Sequence, residues 1–228
     1  MKLVHISDLH LGYKQYQRQT SSGLNQREVD IAKAFRNAVD KIIEIRPDVI
    51  LVAGDVFHSV RPTNPAIIHA WLQFSRLREM LPDTDIVMVS GNHDNPRTRE
   101  TGSILRLFTS LGIQVVEGES KNLRFPDRNL NVLAVPYPSA SNTKFEPDPG
   151  SKFNVVLIHD IVEGLLQYGD YGAGLSMKAV RPDLFDYVAF GHYHVYRPLA
   201  PNAFYSGSIE YTGTNIWGEV DEASGRLV

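Results

Sequence analysis

The chain has 228 residues, enough for one large domain or two small ones, and it contains no cysteine, which excludes disulfides and thiolate metal sites. Its formal net charge of -3 gives no global attraction to nucleic acid, so any such binding needs a local patch or bound cations. The sequence opens without a signal peptide, and no apolar run approaches the roughly 18 residues of a membrane span. We therefore expect a cytoplasmic protein without membrane contact.

The first predicted strand ends in two candidate ligands. Residues 3–7 form a short apolar run that stops at Asp8, as a buried strand does where it gives way to a loop. Asp8 and His10 are two positions apart, so both side chains can reach one ion, although a solvated loop would also explain this motif alone. The polar segment 12–26 has no apolar period and predicts a mobile or substrate-facing loop.

A helix and a second strand complete a βαβ unit. Apolar residues recur at helical spacing between positions 29 and 43, Asn25 can cap this helix, and Pro47 ends it. The apolar run 49–53 predicts a parallel strand that is buried on both faces and leads to Asp55. Ligand groups of open α/β sheets gather at the carboxyl ends of strands, which is where this carboxylate falls.

The next strand carries the densest group of polar side chains. A helix is predicted from about Ala66 to Met80, with Trp71 and Phe74 as core or subunit-contact residues. The apolar run 86–89 then leads into Ser90-Gly91-Asn92-His93-Asp94, which combines a turn glycine, an oxygen ligand, an imidazole and a carboxylate. Taken alone, this sequence is compatible with an ordinary polar turn.

The pattern then changes to hairpins, so we expect a second sheet to begin. The predicted segments are a polar loop at 97–100, a short helix at 104–111, strands at 113–116, 123–125 and 130–135, and a proline-rich candidate boundary at 136–151. A strand at 153–158 ends at His159, and one at 187–190 leads to Gly191-His192-Tyr193-His194. Between them lies a glycine-rich flexible loop at 164–174, and β segments at 195–199, 203–205, 208–211 and 217–220 are expected to close the chain.

Five strand ends thus carry side chains that can hold metal. The candidate ligands are Asp8, His10, Asp55, Asn92, His159, His192 and His194. Core packing explains them poorly, because buried polar groups cost free energy unless they are paired or metal-bound. Seven ligands are too many for one tetrahedral ion and suit two ions that share a carboxylate. Nitrogen and oxygen ligands without sulfur favour Mn, Fe or Zn over Ca.

The ligand types also predict a reaction. Two divalent cations beside two carboxylates leave a local charge of about +2, which suits a phosphate group. A metal pair of this kind lowers the pKa of a bridging water, aligns it with the leaving oxygen and spreads the developing negative charge. The sequence therefore predicts hydrolysis of a phosphate ester.

These motifs resemble a known signature. Asp8-x-His10, Gly54-Asp55, Gly91-Asn92-His93-Asp94, His159 and Gly191-His192-x-His194 are together similar to the calcineurin-like metallophosphoesterases. The resemblance implies an α/β fold, namely a four-layer α/β/β/α sandwich with two mixed sheets and flanking helices. It assigns Asp8, His10, Asp55 and His194 to one metal, and Asp55, Asn92, His159 and His192 to the other. It makes His93 the non-ligand histidine that stabilises or protonates the leaving oxygen, oriented by Asp94.

Narrower features resemble the double-strand-break-repair exonucleases, bacterial SbcD and its archaeal and eukaryotic counterparts. They are Asp8-Leu9-His10-Leu11-Gly12-Tyr13, Gly54-Asp55-Val56-Phe57-His58 with Arg61-Pro62, and Tyr205-Ser206-Gly207-Ser208. This resemblance implies a manganese-dependent 3′–5′ double-strand exonuclease and single-strand endonuclease in DNA repair and recombination, with His58 assisting cleavage. It also implies a dimer that works with a coiled-coil ATPase of the SbcC kind. Members usually continue into a DNA-capping domain, whereas this chain stops at Val228, so we expect residues 1–228 to form a single nuclease domain.

Two other functions stay open on the sequence alone. A stand-alone phosphodiesterase for cyclic nucleotides or other small esters would use the same metals and the same His93, whereas His58 and the polar loop 12–26 favour the nuclease. A non-enzymatic scaffold is expected to have lost ligands, and here every ligand position is filled.

Overall fold

Two packed β-sheets form the centre of the molecule. The computed structural model describes residues 1–96, 102–165, 174–213 and 217–220. The first sheet has the strand order β1-β2-β3-β4, and each neighbouring pair that the described residues form is parallel. Its strands are β1 (Leu3–Ile6), β2 (Val49–Ala53), β3 (Asp85–Val89) and β4 (Gln114–Val116).

The second sheet has the order β5-β6-β7-β8-β10-β9. Its strands are β5 (Lys121–Phe125), β6 (Leu130–Val135), β7 (Phe153–His159), β8 (Tyr187–Gly191), β9 (Arg197–Ala200) and β10 (Ala203–Tyr205). The pairs β5–β6 and β9–β10 are antiparallel, and the three pairs between β6 and β10 are parallel. Mixed pairing is therefore confined to the second sheet.

Two long helices cover the outer face of the first sheet. Helix α1 (Gln26–Ile45) starts at Asn25, whose side chain accepts from the Arg27 backbone N–H, so the predicted cap is confirmed. Helix α2 (Asn64–Met80) begins two residues before the predicted start. A 3₁₀ segment, Ile104–Leu111, takes the place of the expected short helix beside them. Aromatic rings join these three elements, with centroids 5.4 Å apart for Phe35–Phe74 and 4.8 Å apart for Phe74–Phe108.

The other faces complete the sandwich. Buried aliphatic residues such as Leu51, Val87 and Leu157 pack between the two sheets. The outer face of the second sheet is covered more thinly, by the four-residue helix α3 (Met177–Val180) and short 3₁₀ segments over Phe190 and Tyr205. The α/β class and its two sheets with flanking helices are confirmed. No helix of the described residues has the length and apolar character that crossing a bilayer requires.

Several local predictions need correction. The candidate boundary 136–151 is wrong, because this segment joins β6 and β7, which are hydrogen-bonded neighbours in one sheet. Residues 208–211 form no strand and residues 217–220 are helical, so the last two β segments are also wrong. The predicted loop at 97–100 and most of the glycine-rich loop, 166–173, lie outside the described residues.

Candidate metal centre and active site

The loops after β1 and β2 hold the first candidate ligands in left-handed backbone conformations. Asp8, His10 and Asp55 have φ values of 53°, 45° and 51°. The two loops are joined by hydrogen bonds from Asp8 N to Gly54 O (3.1 Å) and from His10 N to Asp55 O (3.0 Å). Such φ values cost non-glycine residues of order 1–3 kcal/mol each, and they persist where the surrounding structure enforces them, often at active sites.

One group of ligand atoms lies where the two sheets meet. Ligand atoms of Asp8, His10 and His194 all lie within 4.8 Å of one another. His10 Nε2 is 3.0 Å from His194 Nε2 and 3.6 Å from Asp55 Oδ2. The structure thus brings together the four residues expected at the first metal.

A second group lies on the other side of Asp55. Asp55 Oδ1 is 3.6 Å from His159 Nε2, which in turn is 3.0 Å from Asn92 Oδ1. His192 Nδ1 lies 2.9 Å from the same amide oxygen and 3.3 Å from His159 Nε2. The two carboxylate oxygens of Asp55 therefore face different groups: Oδ2 faces His10 and Oδ1 faces His159.

Hydrogen bonds fix the orientation of several imidazoles. His159 Nδ1 lies 2.7 Å from Ala53 O, and a carbonyl can only accept, so Nδ1 carries the proton and Nε2 keeps a lone pair for the centre. His194 Nδ1 lies 3.1 Å from the carboxylate oxygen Oε1 of Glu219, so in this ring too Nδ1 carries the proton and Nε2 keeps a lone pair. Burial, reinforced by the imidazoles around it, holds the pKa of His10 well below its usual range, so this ring is neutral.

Glu219 was missed in the sequence. It lies beyond the last recognised motif, in an acidic stretch with Asp221 and Glu222 that follows no predicted ligand-bearing strand end, so nothing in the sequence singled it out as a partner of His194. Its position follows from the fold, which returns this part of the chain to His194.

The buried charges fit divalent cations. Asp8 and Asp55 are 0% and 2% exposed, and within the described ranges neither forms an ion pair with a lysine or arginine. Buried carboxylates are costly without a counter-charge. Oxygen and imidazole donors converge around them, which is the chemistry that Mn, Fe or Zn prefers. The residues present therefore suit a pair of divalent ions that share Asp55.

Two motif glycines allow the ligands this close approach. A Cβ atom at Gly54 would lie 2.3 Å from His159 Nδ1, and one at Gly91 would lie 2.1 Å from Asp55 Oδ1. Any side chain at either position would displace a candidate ligand.

His93 and His58 lie together beside this centre. Their rings are stacked, with centroids 5.0 Å apart, and His93 Nδ1 lies 2.7 Å from the His58 backbone oxygen. Burial, together with His93, lowers the pKa of His58 to about 4. His58 Nδ1 is also 3.3 Å from His10 Nδ1, so both histidines border the first ligand group.

The expectation that Asp94 orients His93 is wrong. Asp94 is 1% exposed, and its carboxylate accepts from the backbone N–H groups of Val56 (3.1 Å), Phe57 (3.0 Å) and Gly91 (3.1 Å). Its side chain points into the interior, whereas the neighbouring His93 faces a cleft. Burial, together with the charge of Asp55, raises the pKa of Asp94 to about 7. Asp94 thus ties the loop after β2 to the turn after β3.

A cleft of about 1020 Å³ opens beside the centre. Asn92 and His93 line it on the side of the candidate ligands, Arg61 supplies positive charge, and Ile104 and Leu107 contribute apolar surface. None of the described residues in the predicted substrate-facing loop, 12–26, lines this cleft.

Sequence comparison finds relatives of this chain among archaeal proteins. The chain is similar to the DNA double-strand break repair protein Mre11 of several archaea. It is 30% identical over 234 residues to the protein of Methanococcus maripaludis, covering 97% of this chain and 59% of the relative. The protein of Methanocaldococcus jannaschii is 38% identical over 119 residues, which cover 52% of this chain and 30% of the relative. The protein of Archaeoglobus fulgidus is 29% identical over 239 residues, which cover 92% of this chain and 50% of the relative. The chain thus spans about half the length of these relatives.

A solved structure and a family model also match. The crystal structure of the calcineurin-like phosphoesterase YfkN from Bacillus subtilis aligns with a TM-score of 0.47 at 15% identity, covering 88% of this chain and 74% of that one. The family model for calcineurin-like phosphoesterases matches residues 1–196, which include all five motifs. The resemblance inferred from those motifs is confirmed, and the chain belongs to the calcineurin-like phosphoesterase family.

Proposed function

We propose that this chain is a metal-dependent DNA nuclease, a 3′–5′ exonuclease and single-strand endonuclease of double-strand-break repair. One observation carries the proposal: the two oxygens of Asp55 face separate ligand groups, with His10 Nε2 and His159 Nε2 each 3.6 Å away. A carboxylate shared in this way suits a two-metal phosphoesterase. Similarity to DNA double-strand break repair proteins supports DNA as the substrate class.

The ligand assignment follows the two groups. Asp8, His10, Asp55 and His194 would hold one ion, and Asp55, Asn92, His159 and His192 the other. We propose Mn²⁺ at both positions, with Fe or Zn as alternatives that the same donors accept. Bound divalent ions supply Lewis acidity, which activates water and neutralises charge on the phosphate.

His93 has the geometry of a proton donor to the leaving oxygen. Its Nδ1 is occupied by the His58 carbonyl at 2.7 Å, which leaves Nε2 to exchange a proton at the cleft. The ring of His58 packs against His93 and limits its rotation. Because of its backbone contacts, Asp94 acts on this site by holding the loops in place and takes no part in proton transfer.

The cleft supports a nucleotide substrate. Arg61 lines it near His93, and within the described residues no carboxylate forms an ion pair with this guanidinium. A free arginine beside a phosphoesterase site is suited to a second phosphate of a nucleic-acid strand. Ile104 and Leu107 offer an apolar surface next to it.

A paired assay tests the nuclease against the small-ester alternative. The Mn-loaded chain is incubated with end-labelled duplex DNA and, separately, with bis-p-nitrophenyl phosphate, and His58→Ala is run in parallel. We expect wild type to shorten the duplex from its 3′ ends, and His58→Ala to lose this activity while it still cleaves the small diester. If only the small ester is cut and His58 makes no difference, the chain is a general phosphodiesterase.

The remaining assignments are also proposals. They are DNA as the substrate, a coiled-coil ATPase of the SbcC kind as a partner, a cytoplasmic location and a single nuclease domain over residues 1–228. A homodimer is supported by Ile68 and Leu72, which are 58% and 56% exposed and one turn apart on α2. If two copies pack there, Leu72→Glu should halve the mass measured by light scattering.

A further inference from the structure

The imidazole of His194 lies between the candidate metal centre and a carboxylate outside all five motifs. On one side, His194 Nε2 is 3.0 Å from His10 Nε2. On the other side, Nδ1 is 3.1 Å from Oε1 of Glu219, a residue that is only 8% exposed. The ring therefore connects Glu219 directly to the first ligand group.

The structure makes room for this contact. A Cβ atom at Gly213 would lie 2.1 Å from Glu219 Oε1, so a side chain at position 213 would push the carboxylate away. Thr212 Oγ1 lies 3.3 Å from the same imidazole nitrogen and helps to enclose it. The Glu219 side chain thus has a site shaped around it next to His194.

The Glu219 carboxylate has few other polar contacts. Within the described residues its Oε2 has no hydrogen-bond partner, and the ion pair found for it is the one with His194. A buried carboxylate with one unsatisfied oxygen is costly, so its presence calls for a compensating positive charge. A divalent cation on the far side of the imidazole would provide that charge through the ring.

We propose that Glu219 is a positioning residue that holds His194 in the Nδ1–H tautomer and strengthens Nε2 as a ligand for one of the two divalent ions. This inference rests on the metal centre of the proposed function. His159 differs, because its Nδ1 donates to the neutral Ala53 carbonyl at 2.7 Å. Replacing a carboxylate partner of a ligand histidine typically costs about 10–100-fold in metal affinity. The ion held by His194 therefore depends on Glu219, and the ion held by His159 does not.

Equilibrium Mn²⁺ binding tests this. Wild type should bind two equivalents, and Glu219→Gln should keep one unchanged while the other weakens about 10–100-fold. Glu210→Gln is the matched control, since Glu210 pairs with Arg27 (3.6 Å) in the same region. Turnover of bis-p-nitrophenyl phosphate by Glu219→Gln should recover when Mn²⁺ is raised by the same factor, a rescue that a purely structural defect would not show.

Two further variants test whether Glu219 affects metal affinity through His194. In the His194→Ala background, adding Glu219→Gln should leave the affinity of the remaining equivalent unchanged. Gly213→Ala keeps the carboxylate but displaces it, and it should weaken the same equivalent as Glu219→Gln. This variant tests the proposal independently if Glu219→Gln does not fold.

The outcomes separate this inference from the function on which it rests. Two unchanged Mn²⁺ affinities in Glu219→Gln, with a lower melting temperature of the metal-free protein, would make Glu219 a structural anchor and overturn the inference alone. Fewer than two equivalents in wild type would overturn the two-metal proposal, and the inference with it.

Discussion

Replacing Asp94 by Asn separates a structural role from a catalytic one. The carboxylate accepts three backbone hydrogen bonds, from Val56, Phe57 and Gly91, at 3.0–3.1 Å in a site that is 1% exposed. Asparagine is nearly the same size, but it has only one acceptor oxygen, and its NH₂ group must face at least one N–H donor. The variant should therefore lose at least one of these bonds.

The loss of one hydrogen bond sets the expected change in melting temperature. Above its pKa of about 7 the Asp94 carboxyl group is charged, so the comparison is made there, and a hydrogen bond to a charged group contributes about 1.5–3 kcal/mol to the free energy of unfolding. For a chain of this size, 1 kcal/mol corresponds to roughly 2–4 °C in melting temperature. Asp94→Asn should therefore lower the melting temperature of the metal-free protein by about 3–12 °C, from the product of these two ranges.

Calorimetry of the metal-free protein measures this shift, and turnover of bis-p-nitrophenyl phosphate is followed below the transition. Asp160→Asn is a suitable control, because Asp160 also adjoins a candidate ligand but, among the residues that the structure describes, accepts a single backbone N–H, from Ile161 at 2.8 Å, which asparagine can keep. The reasoning is refuted if Asp94→Asn melts like wild type and yet loses a thousandfold in turnover, since Asp94 would then belong to the proton-transfer machinery.

Three more outcomes are expected. His93→Ala should keep two equivalents of Mn²⁺ and lose about 10²–10⁴-fold in turnover, as measured by metal analysis and small-diester hydrolysis; near-normal turnover would remove His93 from the mechanism. Asp55→Ala should lose tight binding of both ions, and two tightly held equivalents by equilibrium dialysis would exclude a shared carboxylate. Burial lowers the pKa of His5 from 6.5 to about 4. As pH drops from 6.5 towards 4, His5 is therefore protonated in the unfolded chain but still neutral in the folded protein, so the free energy of unfolding falls. Urea unfolding of the metal-free protein should show a shallower fall for His5→Asn, and an identical pH dependence would contradict the lowered pKa.

The sequence predicted the parts of the fold that depend on strong local patterns. The apolar runs of β2 and β7 and the helical period of α1 follow from burial on defined faces, which leaves a clear periodicity. The ends of β1, β2, β3, β7 and β8 could be recognised because chemically unusual residues follow each run. The structure brings those residues together, while their roles as ligands stay a prediction.

Other features depend on contacts that no local pattern encodes. Asp94 directly follows His93, and the resemblance implied that Asp94 orients the imidazole, but the two side chains bind different backbone groups: Asp94 accepts from Gly91 N, and His93 Nδ1 contacts His58 O. The partner of His93 is a backbone carbonyl, which is present at every residue and so leaves no trace in the sequence. Residues 217–220 contain Trp217 and Val220, which favour strands, yet they form a helical turn that brings Glu219 to His194. Long-range packing decided each of these cases.

The candidate ligands come from both sheets, and this distribution ties metal to folding. Asp8 and Asp55 follow strands of the first sheet, whereas His159 and His192 belong to strand ends of the second. In the proposed assignment, one ion would join residue 8 to residue 194 and the other would join residue 55 to residue 192, so each would act as a cross-link between the two halves of the sandwich. Because the unfolded chain has no such preformed site, metal at a hundredfold excess over its dissociation constant would add about 2.7 kcal/mol per ion to the free energy of unfolding. The concentration of free metal would then set the folded fraction of the protein as well as its turnover.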